Sequence, residues 1–276
     1  MTLLPTCVVA WMPELYQQIE AAILTSDADR KCALTMQLHH DWEQGLPGCN
    51  AESIILPIDD PGRPREPELV DPRKLERRSV ATELGRERLL HAFAHIEFNA
   101  INIALDAAYR FREMPQQFVS DWLLVASEEA RHFQLLEGEL RRRGSYYGAH
   151  RAHRGLWDMA CQTRDDALHR MALVPRVMEA RGLDVTPGMI AKFEQVGDQA
   201  AVEILEIIYR DEVGHVRIGN HWYHQLCEQQ ELDAGETFRE LIKRYMGGKL
   251  RGPFNWPARL EAGFQAAELN ALEQDF

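Results

Sequence analysis

The chain carries SEEARHF at residues 127–133 and IIYRDEVGHVRIG at residues 207–219. In each stretch a glutamate and a histidine stand three apart: Glu129 with His132, and Glu212 with His215. In a helix this spacing puts both side chains on one face, one turn apart. The second stretch is otherwise apolar, with Ile207, Ile208, Val213, Val216 and Ile218 around its charges. Charged groups are rarely buried unless something pairs with them or binds them. One Glu-x-x-His arises by chance in many helices. Two of them, each preceded by an acid (Glu128, Asp211), point to metal chemistry.

Working outward, the punctuation predicts four long helices. The first spans residues 79–112. The second starts at Pro115 and ends with the basic run 141–143 before Gly144, the expected order of proline, cations and glycine along a helix. A non-periodic connection, GSYYGAHRAHRG, follows at 144–155. The third helix runs over 156–181 and is interrupted at GLDVTP, where Thr186 and Pro187 read as an N-cap and first position of a continuation over 187–196. After Gly197, Asp198 caps a last helix reaching 229. No convincing strand alternation occurs.

Two further glutamates complete a site. Glu97 lies 32 residues before Glu129, and Glu179 lies 33 before Glu212, so the two halves repeat one unit. Glu97 is 15 residues before the end of its helix and Glu129 is 14 after Pro115, which sets them at similar heights in an antiparallel hairpin. Glu179 and Glu212 agree in the same way. Four carboxylates and two imidazoles suit iron or manganese, and the four charges balance two divalent cations. One Glu from each of two helices and one Glu-x-x-His from each of the others is the ligand pattern of di-iron carboxylate bundles. The expected ligands are Glu97, Glu129, His132, Glu179, Glu212 and His215, with two iron ions, or manganese, as cofactor. Glu128 and Asp211, four residues before the histidines, are assigned to hydrogen bonds with a ligand histidine across the bundle.

Rival readings are weaker. His95 and Glu97 are two apart and cannot face one core, so His91 and His95 read as satisfied or exposed histidines. Asp166 and His169 mimic the motif without a partner at the repeat spacing. Glu203 and Glu206 lie too close to Glu212 to come from another helix. Tyr209, one turn before Glu212, reads equally well as a border of the site and as a core residue. Pro175, four residues before Glu179, predicts a kink. The GLDVTP break, with Leu183 and Val185, is a candidate route from solvent to the metals.

With those residues in hand, the chain resembles a bacterial ferritin-like family of unknown function. The resemblance covers residues 75–265 and rests on HIEFNAINIALDAAYRF, DWLLVASEEARHF, MEARGLDVTP, YRDEVGHVRIGNHWY and NWPARLEAGF. It implies a di-iron-type four-helix bundle with an oxidoreductase-like site. More distantly the chain is similar to the ferritin-like tRNA hydroxylase, in fold and ligands only.

The fold class expected is all-α: a ferritin-like four-helix bundle over 75–230. An N-terminal extension with a Pro-rich connector occupies 1–74, and a C-terminal extension packed on the bundle occupies 231–276. The net charge of −12 disfavours an RNA substrate, and the basic patches at 141–143 and 150–154 read as a solvated helix end and loop. Five scattered cysteines without a Cys-x-x-Cys exclude a zinc ribbon or disulfide scaffold. No apolar run is long enough to cross a membrane, and the start MTLLPTCVVAWMPEL lacks a basic leader, so a cytoplasmic location is expected. Nucleotide-binding and hydrolase motifs are absent, and no catalytic side chain beyond the metal ligands is evident. The leading expectation is an oxygen-activating oxidoreductase, hydroxylase or desaturase in type, using a small-molecule substrate and an electron donor. A homodimer is the default assembly. The alternatives are iron storage or detoxification, and a non-catalytic metal-binding bundle.

Overall fold

The computed structural model describes residues 14–46, 48, 54–248, 250 and 252–275. The N-terminal stretch 1–13, including Cys7, lies outside them, as do Cys49, Lys249 and Arg251. The described residues form helices and no strand, apart from one isolated bridge between Leu69 and Ala152. No helix among them is long and apolar enough to cross a membrane. Cys32, Cys161 and Cys227 are free thiols.

Two short helices come first, α1 (Leu15–Leu24) and α2 (Ala28–Glu43). They lie against α3 (Glu83–Arg110) and α4 (Gln116–Arg142). The buried Lys31 ammonium donates to Ala22 O, Ile23 O and Asn102 Oδ1 at 2.9, 2.6 and 2.6 Å. It thereby satisfies two C-terminal carbonyls of α1 and ties α2 to α3. Thr82 caps α3 by accepting from Gly85 N at 3.1 Å. Gly85 is required there, because a Cβ would overlap the Ser79 carbonyl.

The third long helix predicted for 156–181 is instead three pieces. They are α5 (Gly155–Gln162), α6 (Ala167–Leu173) and a π-helical turn, Val174–Glu179. Asp166, read as part of a motif mimic, caps α6 by accepting from His169 N at 3.1 Å. The predicted kink at Pro175 is this widened turn. Proline has no N–H to give, and the chain bonds five residues back, Ala180 N to Pro175 O. Next, α7 (Ala180–Gln195) runs unbroken through GLDVTP, with Pro187 inside the helix and Thr186 buried rather than capping. Pro187 leaves the Leu183 carbonyl without its helical donor, and the Asn255 side-chain amide supplies one at 3.0 Å. The break expected there does not exist, because a remote residue repairs it.

Asp198 caps α8 (Gln199–Gln229) and also pairs with Arg86 at 3.2 Å and Arg143 at 2.6 Å. One carboxylate thus gathers the start of α3, the end of α4 and the start of α8. This makes α8 antiparallel to α4, and Trp222 Nε1 donating to Asp121 Oδ2 at 2.9 Å marks their register. Of the arginines of 141–143, expected to be solvated, Arg141 and Arg142 are exposed and pair with Asp29, Glu137 and Glu139, whereas Arg143 is partly buried against Glu139 and Asp198. In the 150–154 loop, His150 pairs with Glu87, Arg151 with Glu68 and Arg154 with Asp158. The chain ends in α9 (Ala234–Met246), α10 (Trp256–Glu261) and α11 (Ala266–Asp275).

The core runs between α3, α4, the α6-to-α7 segment and α8, with Ile101, Leu123, Phe133, Leu205 and Val216 fully buried. Each such aliphatic or aromatic side chain contributes about 1.5–3 kcal/mol relative to exposure. Arg170 crosses this assembly to Asp106 of α3 at 2.8 Å, and both are buried. The polar site sits among these apolar residues.

Candidate metal centre

Six predicted ligands come from four segments: Glu97 from α3, Glu129 and His132 from α4, Glu179 from the end of the π turn, and Glu212 and His215 from α8. Glu97, Glu129, His132 and Glu212 each bring a ligand atom within 4.8 Å of the others. His215 joins them, its Nδ1 lying 3.0 Å from Glu129 Oε1 and 3.8 Å from Glu212 Oε1. His132 Nδ1 lies 3.3 Å from Glu97 Oε2 and 3.4 Å from Glu129 Oε2. Glu129 therefore turns one oxygen toward each histidine. Glu179 is felt electrostatically by this group, its carboxyl raised by burial and then by Glu212 and Glu129.

The two histidines are oriented by a reciprocal exchange. His132 Nε2 faces Asp211 Oδ2 of α8 at 3.1 Å, and His215 Nε2 faces Glu128 Oε2 of α4 at 2.8 Å. Because the helices are antiparallel, an acid one turn before its own histidine meets the histidine of the other helix. An ionised carboxylate only accepts, so each Nε2 carries the proton. That leaves both Nδ1 atoms toward the carboxylate cluster. Partners of this kind fix the tautomer and ring orientation of metal-binding histidines.

Several buried atoms in the cluster have no hydrogen-bond partner: Glu129 Oε1, Glu179 Oε2, Glu212 Oε2 and His215 Nδ1. Glu129 Oε1 and His215 Nδ1 lie 3.0 Å apart, yet their angle makes no hydrogen bond. Buried polar atoms are rarely left so, and one orphan costs about 1–3 kcal/mol. Four in one cluster, on oxygen and nitrogen donors, suit a shared cation better than bonds to one another.

Electrostatics agree. Burial pushes Glu97 well above the carboxylate range, and neighbouring Glu129 adds to it. Burial and Glu129 also raise Glu212. Burial alone would raise Glu129 and lower His132, but the ion pairs reverse both. The charge of His215 and the hydrogen bond from His132 hold Glu129 low. Bonds to Asp211, Glu129 and Glu97 push His132 up to about 12. His215 is likewise raised well above its ordinary value, with burial opposed by Glu129 and Glu128. The hydrogen bond from His132 keeps Asp211 below its ordinary range. Without a cation the cluster neutralises itself by holding protons, the behaviour of a site built for positive charge.

Residues 24–270 match the family model described as "Protein of unknown function (DUF455)". The chain belongs to this family. An uncharacterized protein of Haemophilus influenzae is 46% identical over 271 residues, covering 95% of this chain and 94% of that one. No solved structure matches the chain. The DUF455 match spans both Glu-x-x-His motifs, Glu97 and Glu179.

The rival residues fall elsewhere. His95 faces away from the cluster, its Nδ1 2.9 Å from Tyr147 Oη and its Nε2 2.8 Å from His153 O. His91 Nε2 accepts from Gly148 N at 3.0 Å. Tyr209 Oη accepts from Asn255 Nδ2 at 3.1 Å. Glu203 and Glu206 are exposed on α8. Sequence reasoning passed over the residues that support Glu179: Arg176, Asp184, Gly219 and Asn255. Arginine in an apolar run, VPRVME, was the one available signal.

Proposed function

We propose that this chain is a ferritin-like dinuclear metal protein, with two iron ions or manganese, acting as an oxygen-activating oxidoreductase of hydroxylase or desaturase type. The observation that carries the reading is the reciprocal exchange of Glu128 and Asp211. It turns both histidine Nδ1 atoms toward a group of carboxylates in which Glu129 Oε1 and Glu212 Oε2 have no hydrogen-bond partner. Glu97 and His132 would hold one metal and Glu179 and His215 the other, with Glu129 and Glu212 supplying further ligand oxygens. Iron bound there would supply electrons to dioxygen and oxidising power toward substrate carbon.

The chain's own contribution is binding, orientation and exclusion of water. Ala126, Ala130, Phe133, Ile208 and Val216, within four residues of the ligands along α4 and α8, are buried, and an apolar surrounding of this kind strengthens each charge interaction inside. His132 and His215 keep their Nε2 protons on Asp211 and Glu128, so their ring planes hold still. A small-molecule substrate and an external electron donor follow from this chemistry. RNA is disfavoured by the charge of −12. A homodimer in the cytoplasm is the assembly and place proposed.

Metal content per chain after aerobic purification, with the near-ultraviolet spectrum, tests the reading in the parent chain and in Glu129→Ala and Glu212→Ala. Two metals per chain, lost in both variants, with oxygen consumption when reductant is added, is the expected outcome. Failure to bind metal after anaerobic iron loading would sink it. A many-chain particle filling with iron mineral would move the reading to storage.

A further inference from the structure

Five of the six proposed ligands stand in unbroken α-helices, where the ladder of backbone bonds holds them. Glu179 does not. It ends the π turn, and the residues that fix this segment come largely from outside the four main segments. Arg176, three residues before Glu179, is fully buried, and its Nη2 donates to Glu268 Oε1 of α11 at 2.7 Å. Its guanidinium lies 4.1 Å from the ring centre of Tyr223, 4.2 Å from Phe238 of α9 and 4.8 Å from Phe264. Asp184, five residues after Glu179, accepts from Arg259 Nε at 2.9 Å, Arg259 Nη2 at 2.8 Å and Asn255 N at 2.9 Å. The side chains of Arg259 and Asp184 are both buried. Just before the first grip Pro175 rests on α8 at Gly219, where a Cβ would overlap the proline ring.

We propose that α9 to α11 form a clamp that sets the position of Glu179, with Arg176 and Asp184 as its two positioning residues. The clamp rests on the metal-centre reading above. A helix whose π turn could relax to an α turn would rotate everything beyond Pro175 and carry Glu179 away from Glu212. An arginine stacked among three rings with a carboxylate, and a second buried arginine on Asp184, oppose that rotation from both sides. Lysine cannot replace the first grip, because a point charge neither stacks on rings nor presents a planar fork. The clamp also accounts for two buried arginine–acid pairs that tie this segment to the C-terminal helices, which supply no ligand.

The test uses the full chain with Arg176→Lys, Asp184→Asn and, as reference, Glu179→Ala. Cobalt(II) titration followed by absorption reads the two metals separately, circular dichroism reads the fold, and peptide-level amide exchange is measured on metal-free protein. The expected result is parent-like helicity and one metal bound as in the parent. The second metal is weakened by about tenfold or more, the worth of one lost charge-assisted hydrogen bond. Amide exchange should quicken in peptides covering 174–184 and stay unchanged over 97–132. Equal weakening of both metals, or lower thermal stability with both affinities intact, would overturn the clamp. If the parent chain binds no cobalt, the metal reading fails. The exchange data then decide the clamp alone, and unchanged exchange over 174–184 refutes it.

Discussion

The two halves of the candidate centre use the same residue types but are held in different ways. Glu97, Glu129 and His132 stand on α3 and α4, two unbroken α-helices joined by a short turn and packed against each other. Glu212 and His215 stand equally firmly on α8, but their partner Glu179 sits where a helix widens around Pro175. In the first half each ligand's place follows from its own helix. In the second, one ligand depends on Gly219, Arg176 and Asp184, and through them on a segment 80 or more residues later, where Arg259 and Glu268 lie. Local helix geometry places ligands cheaply; a ligand on an irregular turn needs support from elsewhere in the fold.

The comparison can be broken or sharpened, and the largest expected effect is that of pH on metal binding. Glu97, Glu179, Glu212, His132 and His215 are all held above their ordinary values in the metal-free protein, so metal must expel protons. Displacing two protons gives about hundredfold tighter binding per pH unit. Isothermal titration at several pH values reads this slope, and a flat profile contradicts it. The same groups govern stability. A group raised on folding favours the native state below its unfolded value, and that contribution is lost as pH rises through its folded value. For His132 the window runs from 6.5 to about 12. Glu129 and Asp211 are depressed and act oppositely, losing their contribution only in acid. The metal-free melting midpoint should therefore fall as pH rises above neutrality, and metal should remove most of that fall.

Next in size is Gly219→Val. The new side chain must displace Pro175, an overpacking that costs about 1–3 kcal/mol. Metal binding in the second half should weaken while the first half keeps its metal. Gly214→Ala, with open space at its Cβ, is the control. Loss of both metals to the same degree would erase the distinction between the halves.

Asp211→Asn removes the carboxylate that holds His132, and metal affinity should drop about 10–100-fold. Glu128→Gln should cost less, because the Glu128 side chain is 34% exposed against 11% for Asp211, and water can replace it. Reversal of that order in a metal titration would mean the α8 histidine is the more dependent of the two. The smallest effect belongs to Arg131→Gln. Its guanidinium is 48% exposed and 3.8 Å from Asp211, so stability should change by less than about 0.5 kcal/mol in denaturant unfolding.

Much of this was legible in the chain. Both Glu-x-x-His pairs, their spacing to Glu97 and Glu179, and the Asp198 cap follow from local periodicity; the expected hydrogen bonds of Glu128 and Asp211 to histidines of the opposite helix are present, but they come from antiparallel packing. The third helix was misread. GLDVTP looks like a break because Pro187 strips a donor from Leu183 O, and the donor that repairs it, Asn255, is 72 residues away. The real irregularity, at Pro175, was expected only as a kink. A π turn there is stable because Gly219 leaves room for the proline ring, a fact about another helix. Arg141 and Arg142 are exposed as expected, but Arg143 is partly buried against Asp198, a partner 55 residues away and invisible at short range.

The sequence by itself determined the donor chemistry and the faces on which the donors lie. Spacing of three residues is a property of one helix and needs no neighbour. Only the tertiary structure decided which imidazole nitrogen faces the cluster, because that choice belongs to Asp211 and Glu128 across the bundle. It alone decided how Glu179 comes to the site, because an irregular turn keeps its shape only through contacts made by residues remote in the chain.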